Sequence, residues 1–274
     1  MLYNNIIAAI GNTPVVKVDD VPYYYAKLEG LNPFGSIKDR AAAYAIRCGY
    51  EQQLIHERTR IVESSSGNFA IALAAVCQLY GNPFTCVVDP HLTPLNREIL
   101  ESFDANIVVA ETADNNGSYL TNRLEIVAQM VTELPDLFWV NQYDSANIRR
   151  AYYETIGSEL ITDFEKNDYL FMPISTCGSI AGLSTKLKEY YHDIQIIAVD
   201  IEGSKIFDQN TYHKRSIPGM GASIIPGNLP YARIDEYIQC RQLNAKRVYA
   251  YRKTSFFLEC GVRTDDRVSP QPGA

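Results

Sequence analysis

Six short apolar runs, rich in β-branched and aromatic residues, alternate along this chain with stretches of helical periodicity, and that alternation narrows the choice of fold most. The runs are Arg60–Glu63, Thr85–Asp89, Asn106–Glu111, Phe138–Gln142, Tyr169–Ile174 and Gln195–Asp200. Between them lie Phe69–Tyr80, Leu92–Phe103, Ser118–Leu134, Ile148–Asp163 and Ser179–Tyr191, each predicted as a helix. Strands alternating with helices give βαβ units, hence mostly parallel sheets in three αβα layers. FAIALAAVCQLY is apolar nearly all round, which predicts a buried helix ending at Gly81. No internal repeat of solenoid length is visible.

Composition removes several classes of function. The chain has 274 residues, 46% of them hydrophobic and 21% charged, ample for a packed core. A net charge of −7 argues against nucleic acid or an anionic membrane as the main partner. Six cysteines without CxxC or CxxH spacing predict neither a metal site nor a disulfide framework, and Cys48 and Cys77 are expected in the core. MLYNNIIAAIGNTP has no basic leader character and no apolar run is long enough to span a bilayer, so a cytoplasmic protein is expected. Residues 246–274 differ from the rest, with six Lys/Arg against three Asp/Glu.

Ligands of open α/β sheets bind where strands end and helices begin. Three such junctions are rich in small polar residues. In Asn32-Pro33-Phe34-Gly35-Ser36-Ile37-Lys38-Asp39-Arg40, Lys38 arrives where the helix-favouring AAAYAI begins. Partial positive charge and desolvation there favour a neutral amine able to form a Schiff base; a solvated lysine beside Asp39 is the plainer alternative. Glu63-Ser64-Ser65-Ser66-Gly67-Asn68 leads into a helix and is suited to a carboxylate or phosphate, although one residue of it would suffice as an ordinary cap. Ser175-Thr176-Cys177-Gly178-Ser179 also opens a helix, and its small side chains let backbone amides approach a phosphate. It carries neither a Walker A pattern nor GxGxxG, so a phosphate-bearing cofactor other than a nucleotide is expected. A lysine, a carboxylate loop and a phosphate loop together suit pyridoxal 5′-phosphate and an amino-acid substrate.

Gly11-Asn12-Thr13-Pro14, the Lys38 loop, Ser65-Ser66-Gly67-Asn68, NQYDSANIRRAYYETIG ending at Gly157, the Ser175–Ser179 loop and Pro218-Gly219-Met220-Gly221-Ala222 resemble, in order and spacing over roughly residues 5–245, the motifs of the cysteine synthase group of fold-type II pyridoxal-phosphate enzymes. The resemblance implies a tryptophan synthase β-like fold with a large domain (1–40 and 145–245) and a small domain (41–144), and a homodimer. It implies that Lys38 carries the cofactor and acts as base, that Asn68 bonds the ring 3′ oxygen, and that Ser175, Thr176, Cys177, Gly178 and Ser179 cradle the phosphate. Ser65, Ser66, Gly67 and Gln142 would bind the substrate α-carboxylate, with Gly221 in the loop facing the substrate. The implied chemistry is a transferase reaction, β-replacement on a serine derivative. CVVDPHLTPLN, GSYLTNRL, FWVNQY and VDIEGSKIF are most similar to the siderophore-pathway branch, which joins O-phospho-L-serine and L-glutamate to make N-(2-amino-2-carboxyethyl)-L-glutamate, a precursor of 2,3-diaminopropionate. O-acetylserine with sulfide is the alternative, as is an inactive remnant.

Three departures stand out. Phe69 replaces a threonine of the family motif and is expected to add bulk near the substrate. Cys177 stands where the family carries glycine, which asks for a conformation that a cysteine can supply only if φ is negative, so weaker phosphate-loop geometry is expected there, without loss of binding. After CRQLNAK the family continues with a segment like EGIFAGGSSG, whose serine meets the pyridine nitrogen, whereas this chain reads RVYAYRKTSFFLECGVRTDDRVSPQPGA. A shifted or prematurely ended reading frame is expected, leaving the large domain incomplete, apolar sheet surface exposed and the fold marginal, with a genuinely divergent terminus as the alternative.

Overall fold

The structure, a computed structural model, describes residues 2–18, 23–115, 117–208, 215, 217–241 and, for the main chain alone, 260–263. Most of the atypical 246–274 segment therefore lies outside the described residues.

The predicted alternation is present. β3 (Arg60–Ser64), β4 (Phe84–Val88), β5 (Asn106–Val109) and β6 (Leu137–Trp139) form a wholly parallel sheet in the order β5-β4-β3-β6. Its helices are α2 (Asn68–Tyr80), α3 (Pro94–Ser102) and α4 (Leu120–Glu133). The second sheet runs β1 (Val15–Lys17), β2 (Tyr24–Lys27), β10 (Cys260–Arg263), β7 (Tyr169–Pro173), β8 (Gln195–Ile201), β9 (Glu236–Cys240). Its β7-β8-β9 half is parallel; β10 is antiparallel to both β2 and β7. The remaining helices are α1 (Lys38–Glu51), α5 (Ala146–Glu154), α6 (Ile156–Asp163) and α7 (Gly178–Tyr190).

α2 is buried from Phe69 to Cys77 and stops at Gly81, whose φ of 77° only glycine adopts without cost. Cys48 and Cys77 lie in the core, as expected, and burial pushes the Cys77 thiol pKa well above its usual value. α3 starts two residues later than predicted, because Thr93 Oγ1 accepts the Asn96 N–H at 3.2 Å and Pro94 takes the first helical position. The expected Ile148–Asp163 helix is two helices, broken at Thr155 (φ −97°, ψ −92°) just before Gly157-Ser158, a pair that commonly marks a kink. α5 packs on α7 at very short range: a Cβ on Gly182 would lie 2.2 Å from the Arg149 carbonyl oxygen.

The expectation of an uncovered sheet changes in one respect. Residues 260–263 fill the place between β2 and β7, pairing Val262 with Tyr25 on one side and with Leu170 on the other. Only backbone hydrogen bonding is needed to fill that slot, so a segment without the family's motif can occupy it.

A buried ionic cluster ties α1, β2 and α6 together. Arg40 bonds Glu29 at 2.6 and 2.8 Å and Glu159 Oε2 at 2.8 Å, while Lys27 bonds Glu159 at 2.9 Å, Asp163 at 3.1 Å and the Thr13 carbonyl at 2.8 Å. Burial opposes the charge on Glu159, but Arg40 and Lys27 overcome it and hold the carboxyl down at about 2. Beside the cluster, a cavity of about 990 Å³ is lined by Thr13, Tyr25, Lys27, Arg40, Tyr44 and Phe164.

Candidate active site

The three junctions stand at the carboxyl ends of parallel strands or at helix starts. Lys38 is the first residue of α1 and half-buried rather than fully solvated. The loop before it is held by Asp39, whose carboxylate accepts the Phe34 N–H at 2.6 Å, and by Ser36 Oγ, which accepts the Lys38 N–H at 3.1 Å. Lys38 is near enough to Cys177 for its charge to act on that thiol, which places it beside the Ser175–Ser179 loop.

The Ser64–Asn68 loop joins β3 to α2. Ser65 Oγ accepts from Ala70 N (3.3 Å) and Gly67 N (3.5 Å), bonds that use oxygen lone pairs and leave its proton to donate. Ser66 is differently employed: its hydroxyl donates to Asp89 (2.8 Å) and accepts from Arg123 (2.6 Å), so an anion here would meet its backbone N–H rather than its hydroxyl. Among the described residues nothing lies within 4 Å of a Cβ built on Gly67, and Asn68 is exposed at the first position of α2, so the main chain is approachable there. Phe69 is only 2% exposed and belongs to the hydrophobic core. This overturns the expected bulk near the substrate: one residue further round the helix start, the side chain turns inward.

Gln142 does not end a strand. β6 stops at Trp139, Asn141 takes φ 53°, and the Gln142 N–H turns to Glu63 Oε2 at 3.1 Å, while its Nε2 donates to the Ser64 carbonyl at 2.9 Å. Gln142 and the Ser64–Gly67 loop are thereby brought together, although 78 residues separate Gln142 from Ser64.

The Ser175–Ser179 loop joins β7 to α7, whose first intrahelical bond is Ala181 N to Cys177 O at 3.0 Å. The N–H groups before Ala181 have no acceptor within the helix, and they sit at its positive end. Cys177 takes φ 58°, so the negative φ that would suit a cysteine there is not adopted. The turn demands the left-handed region, and the cysteine bears a cost of roughly 1–2 kcal/mol there. Burial raises its thiol pKa to about 12. Gly221, with φ 70°, is joined to this loop: its N–H donates to the Ile174 carbonyl at 2.7 Å and its carbonyl accepts from Ser175 Oγ at 2.9 Å. Asp200, at the end of β8, is buried; its Oδ1 accepts the Ile201 N–H at 2.8 Å and its Oδ2 has no partner among the described residues. Burial raises its pKa.

Asn228 ties the two loops together and was not predicted. Its Nδ2 donates to the Gln142 carbonyl (2.8 Å) and to the Thr176 carbonyl (2.9 Å), while its Oδ1 accepts from Arg149 (2.8 Å). Its only local signal is the turn tripeptide Pro226-Gly227-Asn228. Arg123 and Asp89, paired at 3.1 Å, were likewise missed, because a single Arg on an amphipathic helix carries no motif.

The donor set suits a phosphate-bearing group: helix-start N–H groups and Ser/Thr hydroxyls in one loop, with Lys38 beside them. Two solved structures at 28% identity share the fold. A hydrogen sulfide-producing enzyme from Fusobacterium nucleatum matches with TM-score 0.83, over 92% of this chain and 86% of that one. An O-acetylserine dependent cystathionine beta-synthase from Helicobacter pylori matches with TM-score 0.81, over 92% and 83%. A cysteine synthase from Entamoeba histolytica, 27% identical, matches with TM-score 0.81 over 92% and 77%. Residues 6–255 match the family described as pyridoxal-phosphate dependent enzyme, and with most of its length inside that match the chain belongs to the pyridoxal-phosphate dependent enzymes.

Proposed function

We propose that this chain catalyses β-replacement on a serine derivative, joining O-phospho-L-serine and L-glutamate to give N-(2-amino-2-carboxyethyl)-L-glutamate and phosphate, as a step toward 2,3-diaminopropionate and a siderophore. The observation that carries the reading is the Asn228 bridge, which holds the Gln142 segment and the Ser175–Ser179 loop together through one side chain. The segments CVVDPHLTPLN, GSYLTNRL, FWVNQY and VDIEGSKIF support the choice of substrates.

In this reading the N–H groups at the start of α7, with the main chain of Ser175 and the hydroxyls of Thr176 and Ser179, hold the cofactor phosphate against the helix dipole, while the Ser175 hydroxyl ties the cradle to the Gly221 carbonyl. Cys177 and Gly178 supply main chain to the same cradle. Asn68 bonds the ring 3′ oxygen. Bound pyridoxal phosphate supplies an electron sink that lets a substrate's Cα proton and β substituent depart. Lys38 Nζ anchors the group at rest and, once displaced by the substrate amine, takes the Cα proton. Ser65 Oγ, the N–H groups of Ser66 and Gly67, and the uncommitted amide proton of Gln142 orient the substrate carboxylate. Gly221 closes the site without a side chain. Residues 1–40 and 145–245 are proposed as one domain and 41–144 as the other, a division supported by the all-parallel sheet falling within Arg60–Trp139. A homodimer and a cytoplasmic location are proposed too. Leu2 and Ile6, exposed near Ile7 and Ile10 in the wall of the 990 Å³ cavity, support the dimer.

The test is to load the purified chain with pyridoxal phosphate, reduce with borohydride and map the modified peptide. Attachment at Lys38, absent in Lys38→Ala, is expected; attachment elsewhere or none overturns the reading. Product mass spectrometry then follows with O-phospho-L-serine and L-glutamate. Product from O-acetylserine and sulfide alone replaces the proposed substrate pair with the cysteine synthase reaction.

A further inference from the structure

Glu63 is the last residue but one of β3 and is fully buried. Both of its oxygens are occupied by main-chain donors: Oε1 accepts the Ser64 N–H at 2.7 Å and Oε2 accepts the Gln142 N–H at 3.1 Å. The Gln142 amide closes the ring by donating to the Ser64 carbonyl at 2.9 Å. One carboxyl thus fixes the spacing between the Ser64–Gly67 loop and Gln142. These are the two elements assigned above to the substrate carboxylate.

The surroundings of Glu63 make its charge consequential. Arg123 from α4 acts on it, and is itself bonded to Ser66 and Asp89. Cys86 from β4 and Tyr143 after β6 feel its charge in turn. Trp139 Nε1 on β6, buried and without a hydrogen-bond partner among the described residues, is close enough to act on it.

We propose that Glu63 is the positioning residue of the substrate-carboxylate site, clamping the loop to Gln142 without touching substrate, and that its charge state sets how tightly the site holds an anion. The inference rests on the carboxylate reading of residues 64–67 and Gln142. Burial lifts its pKa to about 7; the Ser64 and Gln142 N–H groups, Trp139 and Arg123 pull the other way. Protonation turns one of these acceptor oxygens into a donor that faces a main-chain N–H, so the clamp loosens and binding is expected to weaken as pH falls through 7.

The probe is L-serine, whose carboxylate stays ionised between pH 5.5 and 8, titrated calorimetrically into the cofactor-loaded chain. In Glu63→Gln, one N–H of the pair faces an NH₂ donor instead of an acceptor. The dissociation constant should rise roughly tenfold to a hundredfold and lose its step near pH 7, while the affinity for pyridoxal phosphate changes less than about twofold. Trp139 is the only tryptophan, so its fluorescence in the cofactor-free chain gives a second readout: a pH transition near 7 that Glu63→Gln abolishes. Glu63→Asp, one methylene shorter, should keep the fluorescence transition but weaken serine binding, and serves should Glu63→Gln not fold. If Glu63→Gln binds serine like the parent, or keeps the transition, the proposal is overturned. A parent chain that takes up pyridoxal phosphate but binds no serine overturns the carboxylate reading first, and the proposal with it.

Discussion

Gly182→Ala tests the packing that delivers the Ser175–Ser179 loop. The added Cβ would sit 2.2 Å from the Arg149 carbonyl oxygen, 2.9 Å from the Tyr153 nitrogen and 3.0 Å from the Tyr152 Cβ. Ordinary contact needs at least 3.4 Å, and here the nearest atom is backbone, so no side chain can swing aside. α5 and α7 must separate by about 1 Å. Overpacking of this kind costs typically ~1–3 kcal/mol, and a backbone-to-backbone clash belongs at the top of that range or above. The intrinsic helix preference of alanine over glycine returns about 1 kcal/mol. A net loss of about 2–3 kcal/mol is expected, which lowers the melting temperature by roughly 5–10 °C in a chain of this size. Because α7 begins at the loop, its displacement should also weaken pyridoxal phosphate binding, at least about tenfold. The assay is a thermal melt of the cofactor-free chain beside a cofactor titration. Gly81→Ala is the comparison: its φ is 77° and no atom lies within 4 Å of the new Cβ, so it should lose about 1 kcal/mol and leave cofactor affinity unchanged. A Gly182→Ala chain that melts with or above the parent would refute the account of the α5–α7 contact.

Arg40→Ala leaves Glu29 fully buried without its counter-charge and should cost about 3–5 kcal/mol in urea unfolding. Glu159, held at about 2, binds its proton less readily folded than unfolded; its contribution is complete above pH 4.5 and is lost as pH falls toward 2. A drop of about 2–3 kcal/mol over that window, removed in Glu159→Gln, is expected from stability measured against pH. Cys177→Val places a β-branched side chain at φ 58° and should cost more than about 2 kcal/mol, whereas Cys177→Gly relieves the backbone and should tighten cofactor binding.

The α/β character was legible because its periodicity is local: FAIALAAVCQLY up to Gly81, and the β-branched runs at Ile61, Val87 and Ile196, are each explained by neighbours in sequence. β1, β2 and β9 were not, since their residues are largely exposed or irregularly patterned, and pairing across the sheet alone makes them strands. Helix termini came within a residue or two, and where they moved the cause was a side chain such as Thr93 or a break such as Thr155.

For the proposed site, sequence was sufficient to single out Lys38, the Ser65–Asn68 loop and the Ser175–Ser179 loop, which the structure places at helix starts. Small residues at strand-to-helix junctions announce themselves, because anion binding there uses backbone groups and needs little else. Tertiary structure alone decided which hydroxyl is at liberty to donate. Ser65 retains its proton while Ser66 gives its own to Asp89, and nothing in Ser65-Ser66 distinguishes them. The same holds for the direction of Phe69, the left-handed turn at Cys177, and the reach of Asn228 and Glu63 to partners 52 to 86 residues away. A hydrogen bond depends on where two chain segments meet in space, and that meeting is settled by the packing of sheets and helices rather than by either segment alone.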